Sequence, residues 1–447
     1  MEVSLHFVLN YFIIFLKNWW WFFLPFLFWK PFSFLYRWWR IDSFLSQQKP
    51  VLLEIKLPKD VVKPVRAMEQ VMASINAAIY QPPDPWEKWV DGQVQLSISF
   101  EIASIGGETH FYVRTWVPYR ESVEASLYAQ YPELEIKEVD DYTKYVPQNI
   151  PNKDWDLFAA DYHLVKPDYF PIKTYTEFET EHEVTEEKRV DPVAALLEGM
   201  AKVKPGEQFW FQFVAEPIGD ADELKFMGFV TTPGSLGVWL KKGEELRDKL
   251  AHRPEASKPA KPMIQEAAQI LITGKVTEEE VKEERDIIPP EMKLTPGERE
   301  VLMAMEKKMS KPFFKTTVRF VYLGKREVWF KPNFRLAFSY FNGYTTSNLN
   351  ALFPYGSGKT LTKVAKSWFL PVNLIRKRRL YLRCRKIFRN YVRRLSPFFP
   401  KHGGTAMLNV EEMASLFHFP GQEAAPAPGV SRIESKRGGV PPQLPTE

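Results

Sequence analysis

The chain has 447 residues, 45% of them hydrophobic, and a formal net charge of +5, which suits two or three packed domains. Its single cysteine, Cys384, excludes an internal disulfide and any multi-cysteine metal site, and fits a reducing compartment. The small net charge hides an asymmetry: residues 359–401 hold 14 Lys or Arg and no acid, so the remainder is acidic.

The first forty residues contain six of the 14 tryptophans. From Leu5 to Tyr36 the chain is nearly all aromatic and aliphatic. Trp19, Trp20, Trp21, Phe22, Phe23, Phe26 and Trp29 are the expected anchoring side chains, since Trp rings favour the headgroup level of a bilayer. Residues 1–46 therefore read as a membrane anchor. Residues 7–29 would span as one helix, although Lys17 near the middle costs about 2.5 to 3.5 kcal/mol. A register of 19–36, two short helices lying in the interface, or a buried hydrophobic hairpin are the alternatives. No small-residue cleavage site follows, which argues against a signal peptide. Arg37 and Arg40 place the C-terminal side in the cytoplasm.

Residues 47–150 read as one unit. Leu52–Leu57 is a strand, and Lys59–Tyr80 is a helix with Val65, Met68, Met72, Ile75 and Ile79 at helical spacing. Val94–Ile105 and Glu108–Val117 form a hairpin about Gly106 and Gly107. Arg120–Gln130 is a helix and Leu134–Val139 a strand. The order β-α-β-β-α-β is ferredoxin-like.

Residues 151–355 suggest a second ferredoxin-like domain. Trp155–Val165 is a strand, and Asp191 and Pro192 open a helix through Met200. Glu207–Ala215 is a strand whose hairpin partner, Phe313–Leu323, follows a helical insertion at about 219–311. That insertion carries helices near Val238–Leu250, Pro262–Leu271 and Pro296–Met309, and residues 330–352 supply the last helix. The expected fold class is α+β: an N-terminal anchor, then tandem ferredoxin-like domains, the second with a large insertion. Residues 403–447 form a C-terminal segment whose part from Gly421, rich in Pro, Ala and Gly, is expected to be disordered.

Gly356, Ser357, Gly358, Lys359 and Thr360 look like the end of a phosphate-binding loop. The first glycine of such a loop would fall at Phe353, and no apolar strand ending in an acid follows to hold magnesium. A flexible loop is the simpler reading, and no cofactor or metal is expected. The seven histidines show no ligand spacing, and the acidic run Glu177–Glu187 reads as a solvated loop. Residues 356–402 carry the stronger signal. Arg376, Lys377, Arg378, Arg379, Arg383, Arg385, Lys386, Arg389, Arg393 and Arg394 interleave with Leu380, Tyr381, Leu382, Ile387, Phe388 and Tyr391. This is a helix with one apolar stripe and cationic sides, suited to polyanions: anionic lipid, an acidic partner or nucleic acid, with a merely solvated face as the remaining alternative.

The stretches LLEIKLPKD (52–60), AMEQV (67–71), SIGGETHFYVRT (104–115), YAQYPELEIKEVDDYT (128–143), DPVAALLEG (191–199), KPGEQFWFQ (204–212) and NVEEMASLFHFPG (409–421) resemble a family of bacterial membrane proteins of unknown function. Its members occur fused to, or encoded beside, P-loop ATPases of the conjugative-coupling and type IV secretion kind. The last stretch resembles the segment that leads into the ATPase in fused relatives. The resemblance implies a non-enzymatic scaffold at the bacterial inner membrane, with cytoplasmic domains and a translocating ATPase as partner. Nucleic-acid binding through 376–394 is the second reading, and nucleotide hydrolysis rests on the broken loop alone. An oligomer is left open.

Overall fold

The computed structural model describes residues 2–58, 63–84, 86–178, 191–219, 224–226, 230–232, 235–251, 294–356, 360–365, 373–396, 404–420 and 430. The expected helix at Pro262–Leu271, the acidic run beyond Phe178, Ser357 to Lys359, and the tail from Gly421 apart from Val430 lie outside these residues.

In chain order the main elements are α1 (Glu2–Gln47), β1 (Pro50–Lys56), α2 (Val65–Ile79), β2 (Ile98–Ile105), β3 (Glu108–Trp116), α3 (Arg120–Gln130), β4 (Glu135–Val139) and β5 (Trp155–Leu164). There follow α4 (Pro192–Ala201), β6 (Glu207–Ile218), a small ribbon of β7 (Leu224–Phe226) and β8 (Val230–Thr232), α5 (Ser235–Leu250) and α6 (Pro296–Met309). The chain continues through β9 (Phe313–Lys325), α7 (Arg335–Asn342), β10 (Leu352–Pro354), α8 (Arg376–Val392), β11 (Ala406–Asn409) and α9 (Val410–Leu416).

Local chemistry sets these boundaries. Gly106 and Gly107 adopt φ of 62° and 99°, the left-handed pair that a tight hairpin turn requires. Gly107 has a second reason: a Cβ there would stand 2.9 Å from the Val203 carbonyl oxygen. Asp191 caps α4 by accepting from the Val193 N–H at 2.7 Å, with Pro192 in the first turn. Thr295 and Glu298 form a capping box on α6, as Asn409 and Glu412 do on α9.

One sheet organises the rest. Nine strands run in the order β10-β5-β9-β6-β2-β3-β1-β4, with β11 pairing on β9, and every pairing in it is antiparallel. The expectation of two tandem ferredoxin-like domains is therefore corrected to a single continuous sheet. The joint is β2 against β6, where Ile98 faces Ala215 and Ile105 faces Gln208. The reason lies in burial. Both strands are buried on both faces over most of their length, so neither can stand as a solvent-exposed edge. One hydrophobic core reaches from Leu53 and Met72 to Phe211, Phe320 and Phe341 under α2, α3, α4, α7 and α9. A smaller cluster on the opposite face lies beneath α8.

The anchor is corrected as well. Among the described residues no helix is long and apolar enough to cross a membrane. Residues assigned to the anchor, among them Trp19, Trp20, Trp21, Phe22, Phe23, Phe26 and Trp29, belong to the single helix α1, and Trp29 is exposed. Asn10, Lys17, Asn18 and Lys30 interrupt the apolar windows. The Trp and Tyr rings that fill the segment carry polar N–H and O–H groups, unlike aliphatic chains. The transmembrane reading falls with it. The C-terminal part of α1 instead meets the turn Glu87–Asp91, where the Arg37 guanidinium lies 5.0 Å from the Trp89 ring centroid.

Because the main core crosses the β2–β6 joint, chemical denaturation should unfold the sheet in one transition reported alike by probes in both halves. Two separated transitions would contradict the continuous core. Phe211→Ala, at a fully buried position beside Phe320 and Tyr340, should cost about 3 to 5 kcal/mol.

Candidate functional site: a basic helix clamped to the sheet

The basic helix expected at 376–394 forms as α8. Its strong helix formers, Arg, Lys and Leu, recur with apolar side chains every three or four residues. Cys384, Ile387, Phe388 and Tyr391 are buried against the sheet, with Leu380 partly so. The Trp210 ring of β6 meets Phe388 at 6.5 Å and Tyr391 at 5.2 Å. Burial pushes the Cys384 thiol up to about 12, so this cysteine is packing rather than a nucleophile.

The arginines divide into three sets. Along the flanks, Arg376 donates to the Val364 carbonyl at 3.0 Å, Arg383 to the Lys363 carbonyl at 2.7 Å, and Arg385 to the Gln148 carbonyl at 3.2 Å. These bonds tie the helix to loops on either side. Lys377, Arg378, Arg389 and Arg393 are exposed, and Arg379 and Lys386 are half-buried. Arg378, Arg389 and Arg393 share the outward face with Tyr381 and Leu382. Arg394 is separate. It is buried at a left-handed φ of 53° just past the helix, and it is not available to any partner.

Arg394 is the anchor of α8. Its Nε donates to Glu101 Oε1 at 2.9 Å and its Nη2 to Oε2 at 3.1 Å, while Nη1 pairs with Asp141. Glu101, fully buried on β2, also accepts from Ser99 and Tyr142 at 2.7 Å and from Gln212 at 3.0 Å. Tyr142 meets the Tyr391 hydroxyl at 2.7 Å. Gln212 then accepts from Arg319 at 3.2 Å, and Arg319 donates to Asp161 at 2.5 Å and to the Leu395 carbonyl at 2.8 Å. Burial pushes the Glu101 carboxyl up, but Arg394, Tyr142 and Ser99 outweigh it and hold it below the usual carboxylate range. Asp141 follows the same balance, burial against Arg394 and Thr143.

A second charged cluster holds the stretch 409–420, all of it buried. Glu411 accepts from Thr174 at 2.6 Å, Lys311 at 2.5 Å and Lys307 at 2.9 Å. Glu412 pairs with the buried Lys308 at 3.0 Å, and His418 bridges the Ala414 carbonyl and Asp191, each at 3.0 Å. Against burial, which raises it, the Lys311, Thr174 and Lys307 contacts lower Glu411 to about 2. Burial lowers His418, but Asp191 prevails and its value is raised.

Of the looked-for phosphate loop, Thr360 is buried and the flanking chain runs along β5, with Thr362 N–H donating to the Ala159 carbonyl at 3.1 Å. Among the described residues no group of three or more His, Cys, Asp or Glu is placed to hold a metal ion. Sequence reasoning missed Glu101, Asp141, Gln212, Arg319 and Asp161. The available signal was a polar residue inside a mostly apolar strand: Glu101 in Ile98–Ile105, Asp161 in Trp155–Leu164, Gln212 in Glu207–Ile218 and Arg319 in Phe313–Lys325.

Fold and site together define an α+β protein: one antiparallel sheet carrying a clamped cationic helix. The chain belongs to a family known as a domain of unknown function, DUF8128, whose family model matches residues 44–425. No curated protein matches it.

Arg394→Ala would leave Glu101 buried and unpaired, and should cost about 3 to 5 kcal/mol in chemical denaturation. The pH dependence has two limbs. Glu411, lowered to about 2, stabilises above its ordinary 4.5, and that contribution is lost as pH falls through 2. His418, raised, stabilises below 6.5 and loses its contribution as pH rises through the raised value. Denaturation midpoints measured against pH should therefore fall at both ends, with Glu411→Gln flattening the acid limb and His418→Gln the alkaline one. Glu101, Asp141 and Asp191, also lowered, add to the acid limb and Glu412, raised by burial, works against it, so Glu411→Gln should remove only part of that limb.

Proposed function

We propose that this chain is a non-enzymatic adaptor for a cytoplasmic translocating P-loop ATPase of the type IV secretion kind, which moves DNA or protein. The outer face of α8 is its working surface. The ATPase is named from the resemblance of stretches such as SIGGETHFYVRT and NVEEMASLFHFPG to proteins fused to, or encoded beside, such enzymes. The observation that carries the reading is the clamp on α8: Arg394 fixes one end to Glu101, and flanking arginines hold the sides on loop carbonyls. A cationic face immobilised before contact loses little conformational freedom on docking, which is what an adaptor surface requires. The stretch 409–420 supports the same reading, since the part that resembles a lead into an ATPase is held inside the core by Glu411, Glu412 and His418.

The test is a crosslinked purification of the intact chain from cells that express it naturally. A P-loop ATPase should copurify, and Arg378→Glu with Arg389→Glu should reduce its recovery several-fold without lowering the melting temperature. Recovery of no ATPase from the unaltered chain overturns the adaptor reading.

A further inference from the structure

The outer face of α8 carries more than charge. Tyr381 is 46% and Leu382 55% exposed, and at its N-terminal edge Leu374 is 84% and Ile375 52% exposed. Arg378, Tyr381, Leu382 and Arg389 recur at helical spacing, so the apolar group and the arginines form one stripe. A partner offering only phosphates would satisfy the arginines and leave three aliphatic side chains in water. Arginine and tyrosine around an aliphatic centre, with little lysine, is the composition of a protein–protein contact.

We infer that this stripe docks an acidic amphipathic helix of a partner protein. Its apolar side chains cover Leu374, Tyr381 and Leu382, and its carboxylates pair with Arg378 and Arg389. Charge complementarity selects the acidic partner, because α8 contains no acid and Arg378 and Arg389 are exposed on its outer face. The geometry selects a helix. The inner side of α8 is buried on the sheet and its flanks are bonded to the Lys363 and Gln148 carbonyls, which leaves one straight face about 25 Å long. A second helix laid along that face meets both kinds of side chain at matching intervals. This inference rests on the adaptor reading for its biological role and names the chemistry of the partner at the same face.

The experiment uses the intact chain and a fluorescein-labelled peptide of about 20 residues, with leucine at the a and d positions and glutamate at most others. A shuffled peptide of identical composition and a labelled oligothymidylate are the comparison probes, read by fluorescence anisotropy. The amphipathic peptide should bind, and shuffling should weaken it. Leu382→Ser should weaken binding roughly tenfold or more, and Arg378→Ser with Arg389→Ser by a similar factor. Both sets of substitutions lie on exposed positions, and unchanged melting temperatures confirm that the fold is intact. Binding that is indifferent to shuffling or to Leu382→Ser overturns the inference. So does tighter binding of the oligothymidylate, with the steep loss between about 50 and 200 mM salt that phosphate contacts produce. If the peptide fails to bind while an ATPase still crosslinks to the chain, the helix-docking inference falls and the adaptor reading stands. If the peptide binds and no ATPase is recovered, the adaptor reading falls and the docking face stands.

Discussion

The seam between β2 and β6 is the constraint on which the rest of the molecule depends. Each strand is buried on both faces over most of its length, so each needs a neighbour on both edges and a layer on both sides. Their pairing joins eight strands into one hydrogen-bonded row and, through β9, brings in β11. It also sets Glu101 opposite Gln212 in register, which puts a carboxylate and an amide side by side on the face that α8 covers. From those two residues the polar contacts pass to Arg394 on one side and to Arg319 and Asp161 on the other. In such a network the loss of one partner leaves another buried and unpaired, and that ties the position of α8 to the register of the sheet.

α8 shows how one helix serves two surfaces. Its inner stripe is ordinary core, packed on Trp210 and closed by Tyr391, and a helix so held needs no cap at its start: Ile375 supplies no side-chain hydrogen bond there. The arginines on its sides act as long tethers, with their stems along apolar surface and their guanidinium groups on carbonyl oxygens. Only what remains is presented outward. Ten cations counted along the sequence thus become a narrower set in space, and the most deeply placed of them, Arg394, is structural.

The opposite face of the sheet solves a different problem. α9 and its flanks are buried throughout, yet they bring in Glu411, Glu412 and His418. Each of these charges has a named partner on a different segment: Lys307 and Lys311, Lys308, and Asp191. Isolated, any of them would be costly to bury, and paired they fix where the segment can lie. Asp191 does two tasks at once, capping α4 and holding His418, so the start of that helix and the end of the buried segment are positioned together.

The sequence alone determined the elements whose signals are local. The hairpin at Gly106 and Gly107, the capped start at Asp191, the helix from Pro296, the long strand at 207–215 with its distant partner at 313–323, and the basic helix could all be read from spacing and turn chemistry. It misjudged α1, because aromatic rings count as apolar in a pattern while their polar groups weaken the case for hydrocarbon. Tertiary structure decided what depends on distant pairs. That two halves share one sheet follows from β2 meeting β6, more than a hundred residues apart, and hydrophobic alternation shows only that a strand is covered, not by which neighbour. That Arg394 is an anchor and Arg389 a free-facing cation follows from Glu101, nearly three hundred residues earlier. A run of like charges looks uniform along a chain, and only the folded surface distinguishes the cations that are used up inside from those that are offered outside.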